Sequence, residues 1–189
     1  MSIRLYNLTE LISSTPKNYD HSVGYHDIRP FNIDNKNLIA LHRYPITSTI
    51  LYKKKLPIID ICLWNFIENS VQKIDETNAW SWEQGARLQW ISKNELIFNK
   101  FYENKLKACI LNIKTNVKLY LDNPTYSIDR NNKKNLFINY SRLWMLWNTY
   151  GYNLGKNVSD VDPKPKDDGV FLSDFKNEKK MLLSIYDAV

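Results

Sequence analysis

Three stretches of this 189-residue chain repeat one pattern: Ile61-Cys62-Leu63-Trp64-Asn65-Phe66, Ala108-Cys109-Ile110-Leu111-Asn112-Ile113 and Val170-Phe171-Leu172-Ser173-Asp174-Phe175. Each is an apolar, strand-like run closed by Asn or Asp and one bulky apolar residue. Polar turns follow: Ile67 to Ser70, Lys114 to Asn116 and Lys176 to Glu178. A second strand-like run comes after each turn: Val71 to Ile74, Val117 to Leu121 and Met181 to Ile185. Recurrence at this spacing restricts the chain to repeated supersecondary units that must stack to bury their apolar faces.

The residues ahead of each pair repeat as well. Arg29 to Asp34, Leu88 to Ser92 and Asn123 to Asp129 each set an aromatic residue just before a short polar turn. The runs Leu38 to His42, Leu96 to Asn99 and Leu136 to Tyr140 come next. Four short strands per unit, divided by Asn-rich turns, predict four-stranded antiparallel meanders of the kind that form the blades of a β-propeller. The expected fold is therefore all-β, an open or partial propeller of about three blades. The spacing grows from 47 residues between Asn65 and Asn112 to 62 between Asn112 and Asp174, as insertion at one point in the unit would produce.

The expected organisation is an N-terminal arm over 1–23, then units at 24–77, 78–122 and 123–189, the third with a long insertion at 141–168. Three blades are fewer than the four to eight of a closed ring. The chain thus reads as part of one larger propeller, with self-association to close the ring as the alternative. Long connections, Tyr44 to Pro57 and Ser141 to Asp168, join second to third strands. In a meander these share a face with the segments that lead from unit to unit. Binding groups concentrate on long loops displayed by a rigid scaffold.

Composition narrows the function classes. At 43% hydrophobic and 24% charged, the chain can bury a sizeable core. It has no apolar run long enough for a membrane span, and its first residues lack the apolar core of a signal peptide; the expected location is cytoplasmic. The net charge of +6 is spread over Lys53-Lys54-Lys55, Lys133-Lys134 and Lys179-Lys180, in turns of different units and not along one stripe. That distribution argues for solvated edges and against nucleic acid. Cys62 and Cys109 occupy matching positions in successive units, where buried reduced thiols are expected.

The elaborated face would collect His21, His26, Asp27 and Arg29, then Trp80, Trp82, Glu83, Gln84 and Arg87. Strand ends add His42, Asn99, Tyr140 and Arg142, and the third insertion adds Trp144, Trp147, Tyr150 and Tyr152. Aromatic rings among Arg, His and carboxylates suit a polar, ring-shaped ligand such as a sugar. Trp90 reads as core packing, and Gly85 as a bulge or a close backbone approach. His21, His26 and His42, with Asp27 or Gln84, are the candidate ligands for a divalent metal, although they form no tight motif. Phosphate-loop, nucleophile-elbow and zinc-finger spacings are all missing from the sequence.

The segment Thr77-Asn78-Ala79-Trp80-Ser81-Trp82-Glu83-Gln84-Gly85-Ala86-Arg87-Leu88-Gln89-Trp90 resembles the signature of a family of bacterial β-propeller proteins, roughly Thr-x-Ala-Trp-Asn-Trp-Gln-Gln-Gly-x-x-Leu-Gln-Trp. Tyr25 to Phe31 and Tyr150-Gly151-Tyr152 are similar too. Here Ser81 and Glu83 stand where the pattern has Asn and Gln. Genes of that family often lie among those for capsule, O-antigen and other surface glycans. More distantly, the units resemble blades of the Tol-system propeller and of oligogalacturonate lyase, a metal-dependent enzyme; that likeness is one of fold and does not fix function. The resemblance implies recognition of a glycan or glycan precursor in polysaccharide production. The expected contacts are His26, Asp27, Arg29, Glu83, Gln84, Arg87 and Arg142, with Trp82 and Tyr152 as stacking platforms. Two alternatives stay open: a metal-dependent lyase or hydrolase of acidic sugars, and a protein-interaction scaffold that exposes Trp144 and Trp147 together.

Overall fold

The computed structural model describes residues 4–7, 10–17, 19–45, 57–153, 162–176 and 178–189. A hairpin of β1 (Arg4–Asn7) and β2 (Glu10–Ser14) is followed by three four-stranded antiparallel sheets. The first holds β3 (Asp20–Ser22), β4 (Leu38–Tyr44), β5 (Ile59–Asn65) and β6 (Ser70–Thr77). The second holds β7 (Gln89–Ser92), β8 (Glu95–Tyr102), β9 (Lys105–Asn112) and β10 (Lys118–Leu121). The third holds β11 (Ser127–Asp129), β12 (Lys134–Phe137), β13 (Gly169–Asp174) and β14 (Lys179–Ser184). Within each sheet, neighbours in sequence are neighbours in space. Apart from two short helices, α1 (Tyr140–Leu146) and α2 (Ile185–Ala188), the regular structure of the described residues is all β.

The recurring Asn and Asp residues have one local task. Asn65 Oδ1 accepts from the main-chain N–H of Ile67 and Glu68, Asn112 Oδ1 from Lys114 and Thr115, and Asp174 Oδ1 from Lys176 and Glu178. The turn after the first strand uses the same device: Asn32 Oδ1 takes the N–H of Asp34 and Asn35, and Asp129 Oδ1 that of Asn131 and Asn132. A short polar side chain that bonds the main chain two or three residues ahead closes the turn at little entropic cost. Asn69 and Asn116, at φ 50° and 58°, then supply the left-handed residue that reverses the chain.

The sheets pack face to face through alternate residues. Ala40, Tyr44, Ile59, Ile61 and Leu63 of the first meet Leu88, Trp90, Leu96, Phe98, Cys109 and Leu111 of the second in one buried cluster. The opposite face of the second, Ile97, Ala108, Ile110 and Leu121, packs against Ile128 and Phe175 of the third. Cys62 and Cys109 are buried free thiols, and burial pushes their pKa values up to about 12 and about 11. No helix among the described residues is long and apolar enough to cross a membrane.

The first sheet departs from the expected pattern. Its first strand is β3, within the segment read as an arm, and residues 29–34 contribute only a bridge from Phe31 to Ile39. Pro30 lacks an N–H to extend the ladder, and its carbonyl instead accepts from Ala40 N and Trp90 Nε1. The run Leu136 to Tyr140 is likewise divided, because Asn139 caps α1 by accepting from Arg142 N. Of the two long connections, residues 46–56 and 154–161 lie outside the described residues, as does Lys53-Lys54-Lys55.

Candidate functional site

The tryptophan-rich segment forms a closed turn against the first sheet. Ser81 and Gly85 exchange both main-chain hydrogen bonds, at 3.1 and 2.9 Å. Gly85, at φ +57°, leaves room for the buried ring of His42; a Cβ there would lie 2.5 Å from His42 Cε1. His42 Nε2 accepts the N–H of Ala86 at 3.1 Å, so the ring is held neutral at that nitrogen. Burial pushes its pKa down to about 4. Gly85 is thus a close backbone approach. Trp80 and Trp90 are buried, their indole N–H groups donating to the carbonyls of Pro57 and Pro30, whereas Trp82 is 40% exposed and stacks on Tyr44.

Two residues beyond Gly85 the chain turns again at Arg87, also left-handed at φ 56°. Its side chain is buried, yet each of its three nitrogens donates a hydrogen bond. Nη1 and Nη2 grip both carboxylate oxygens of Asp27 at 3.0 and 2.8 Å, Nε donates to Tyr126 O at 2.8 Å, and the guanidinium lies over the Tyr126 ring. Gln84 Nε2 donates to the Tyr126 hydroxyl at 3.3 Å. Asp27, Arg87 and Tyr126 come from the segments that run along the first-strand edge of three successive sheets. Those edges therefore lie together.

A second buried polar knot supports the first. Asn99 of β8 donates to Thr125 O and to the Tyr152 hydroxyl, both at 2.9 Å, and accepts from Thr125 N at 2.7 Å. Tyr140 OH donates to Thr125 O, and Tyr152 OH to Gly85 O. Tyr152, expected as a stacking platform, is therefore enclosed, its ring stacked on Tyr140 at 4.2 Å.

Around the Arg87 cluster the loops gather as well. Glu83 N donates to Thr149 O, and the ring of Tyr25 meets that of Tyr150 edge-on at 5.9 Å. The Tyr25 hydroxyl pushes the Tyr150 pKa up to about 12. His26 is exposed beside Tyr25. A cavity of about 590 Å³ follows the edge, lined by Asp27, Arg29, Gln89, Asp129 and Arg130 among others. A neighbouring one of about 370 Å³ is lined by Arg29, Phe31, Asn32, Ile33, Lys36 and Arg130.

The structure thus assembles Asp27, Gln84 and Arg87 around Tyr126, with Glu83 beside Thr149 and Tyr150 and Arg29 farther along the same edge. It puts Arg142 elsewhere, on α1, where Nε bonds Asp168 Oδ2 at 2.7 Å and the side chain lines a cavity of about 460 Å³ over the stacked rings of Phe137 and Phe171. His21 and His42 do not converge. In the β3–β4 ladder His21 faces Arg43 and His42 faces Ser22, so the two rings leave opposite faces of the sheet. Burial, with the Arg43 charge next, pushes the His21 pKa down to about 4. Among the described residues no three His, Cys, Asp or Glu are grouped to hold a metal ion.

Tyr25, Tyr126, Lys36 and Arg130 were not singled out by the sequence reading. Tyr126 did carry a signal, since it fills the aromatic pre-turn place that Phe31 and Trp90 fill in the other units. Comparisons of the chain with protein-family models, with curated proteins and with solved structures find no match.

Proposed function

We propose that the three sheets are successive blades of a β-propeller, open over the described residues, and that the chain recognises a glycan or glycan precursor along its first-strand edges. One observation carries this reading: Asp27, Arg87 and Tyr126, from three successive units, meet at one point beside a cavity of about 590 Å³. A bidentate ion pair between the buried Arg87 and the solvent-facing Asp27 holds that point, while Tyr25, Tyr150, His26 and Glu83 lie nearby as aromatic faces and hydrogen-bonding groups. Rigid polar groups with free ring faces are what a sugar needs, because hydroxyls require directed partners and the pyranose face needs an apolar one. The resemblance of the Trp80–Trp90 segment to propellers from surface-glycan gene clusters supports the same ligand class.

The test is a microarray of bacterial capsule, O-antigen and related polysaccharides probed with the labelled protein and with a Glu83→Ala/Tyr25→Ala variant. Saturable binding to a subset of glycans, weakened at least tenfold in the variant, is expected. Binding to none of them, or binding that the variant leaves intact, refutes the assignment.

A second reading has its own observation. Trp144 is half-buried and does not join Trp147 on the surface as expected, but Leu146 and Trp147 at the end of α1 are 70% and 66% exposed. Such a patch suits a protein partner. Under that reading, Leu146→Ser/Trp147→Ser would abolish capture of the partner and leave glycan binding unchanged.

A further inference from the structure

The two cavities along the first-strand edge share Arg29 and Arg130 in their linings. Their acidic members are already committed. Both Asp27 oxygens are taken by Arg87. Asp129 Oδ1 accepts the main-chain N–H of Asn131 and Asn132, and its Oδ2 accepts from Asn132 Nδ2 at 2.6 Å. The cations differ. Among the described residues, Arg29, Arg130 and Lys36 have no hydrogen-bond or ion-pair partner. The linings therefore offer two unused guanidinium forks and an ammonium against one carboxylate charge without a cation partner, that of Asp129, which neutral N–H groups hold in its own turn.

A guanidinium fork matches the paired oxygens of a carboxylate or a phosphate, and charge-assisted bonds of this type are roughly twice as strong as neutral ones. The smaller cavity adds the apolar side chains of Phe31 and Ile33 beside the same arginines. We infer that these cavities take an anionic sugar, its carboxylate or phosphate held by Arg29 and Arg130 and its ring against Phe31 and Ile33. This rests on the glycan reading above and narrows it from sugars in general to charged ones. Lys36 contributes attraction without directional pairing, since an ammonium acts as a point charge.

The experiment titrates the ¹⁵N-labelled full chain with four probes, galactose, galacturonate, galactose 1-phosphate and inorganic phosphate, and follows backbone and arginine Nε–Hε resonances. The acidic sugars are expected to bind at least tenfold more tightly than galactose, with shifts at Arg29 and Arg130. Arg29→Gln/Arg130→Gln should erase that preference, bringing the acidic sugars to the affinity of galactose, and leave the melting temperature unchanged. If the double variant unfolds, Arg29→Lys serves in its place; it keeps the charge, loses the fork, and should weaken the acidic probes several-fold. Galacturonate binding more tightly than galactose 1-phosphate identifies the anion as a carboxylate, and the reverse order as a phosphate. Equal affinity for galactose and both acidic sugars overturns this inference and leaves glycan recognition standing. Inorganic phosphate matching galactose 1-phosphate overturns the sugar part, and the glycan reading falls with it. Absence of shifts with all four probes refutes the site outright.

Discussion

Replacing Gly85 with alanine probes the contact on which the tryptophan segment rests. Two costs are expected, and the structure separates them. The backbone cost comes from φ +57°, where an L side chain loses about 1–2 kcal/mol. The steric cost comes from His42: the new Cβ would sit 2.5 Å from Cε1, 2.9 Å from Nδ1 and 3.0 Å from Nε2. The ring cannot swing away freely, because it is fully buried and its Nε2 holds Ala86 N–H. Overpacking of this kind costs about 1–3 kcal/mol. Together the substitution should destabilise the protein by about 2–5 kcal/mol, a fall in melting temperature of roughly 4–20 °C for a chain of this size. In a His42→Ala background the ring is gone, and Gly85→Ala should cost only the backbone part, about 1–2 kcal/mol. Urea unfolding followed by tryptophan fluorescence measures all four corners of the cycle. An equal cost in both backgrounds would refute the idea that His42 makes glycine necessary here.

Three further outcomes follow from the same contacts. His42 is neutral and buried when folded, with its pKa about 4 against an unfolded value of 6.5. The unfolded chain therefore binds the extra proton first, and stability present above about pH 6.5 is lost as pH falls toward 4. The loss is about 3 kcal/mol, and it should shrink in His42→Gln when urea midpoints are measured against pH. Asp27→Asn leaves the buried Arg87 guanidinium without its counter-charge; a loss of about 2–3 kcal/mol is expected, moderated by the 39% exposure of the Asp27 side chain, and an unchanged melting temperature would contradict it. Asn99→Leu removes three buried hydrogen bonds and orphans Thr125 N, while Thr125 O keeps the Tyr140 hydroxyl; a cost of about 3–4 kcal/mol is expected, whereas Asn112→Ala in an exposed turn should cost about 1 kcal/mol, and the ranking is read from denaturant midpoints.

Much of the architecture was legible because its causes are local. Asn65, Asn112 and Asp174 close their turns by bonding main-chain groups two to four residues ahead, so their recurrence reports the hairpins directly. The alternation of Ile61, Leu63 and Asn65 against Cys62 and Trp64 reports the two faces of a strand in the same way. Where a local rule had a competitor the reading failed: Pro30 could not continue a ladder, and Asn139 capped a helix where a strand end was expected.

The site obeys different causes. Asp27 and Arg87 lie 60 residues apart, and nothing in either segment alone requires the other. Arg87 is tolerated in the interior only because packing the sheets brings a carboxylate, a carbonyl and a ring to its guanidinium. Tyr152 looked available for stacking until Asn99 and Tyr140 enclosed it, and His21 and His42 looked paired until strand pleating sent them to opposite faces. The sequence by itself determined strands, turns and the unit of repetition, since each depends on bonds among neighbouring residues. Which edges meet, and which polar groups are left free to bind, depended on how the sheets stack, because burial and pairing are set between segments far apart in the chain.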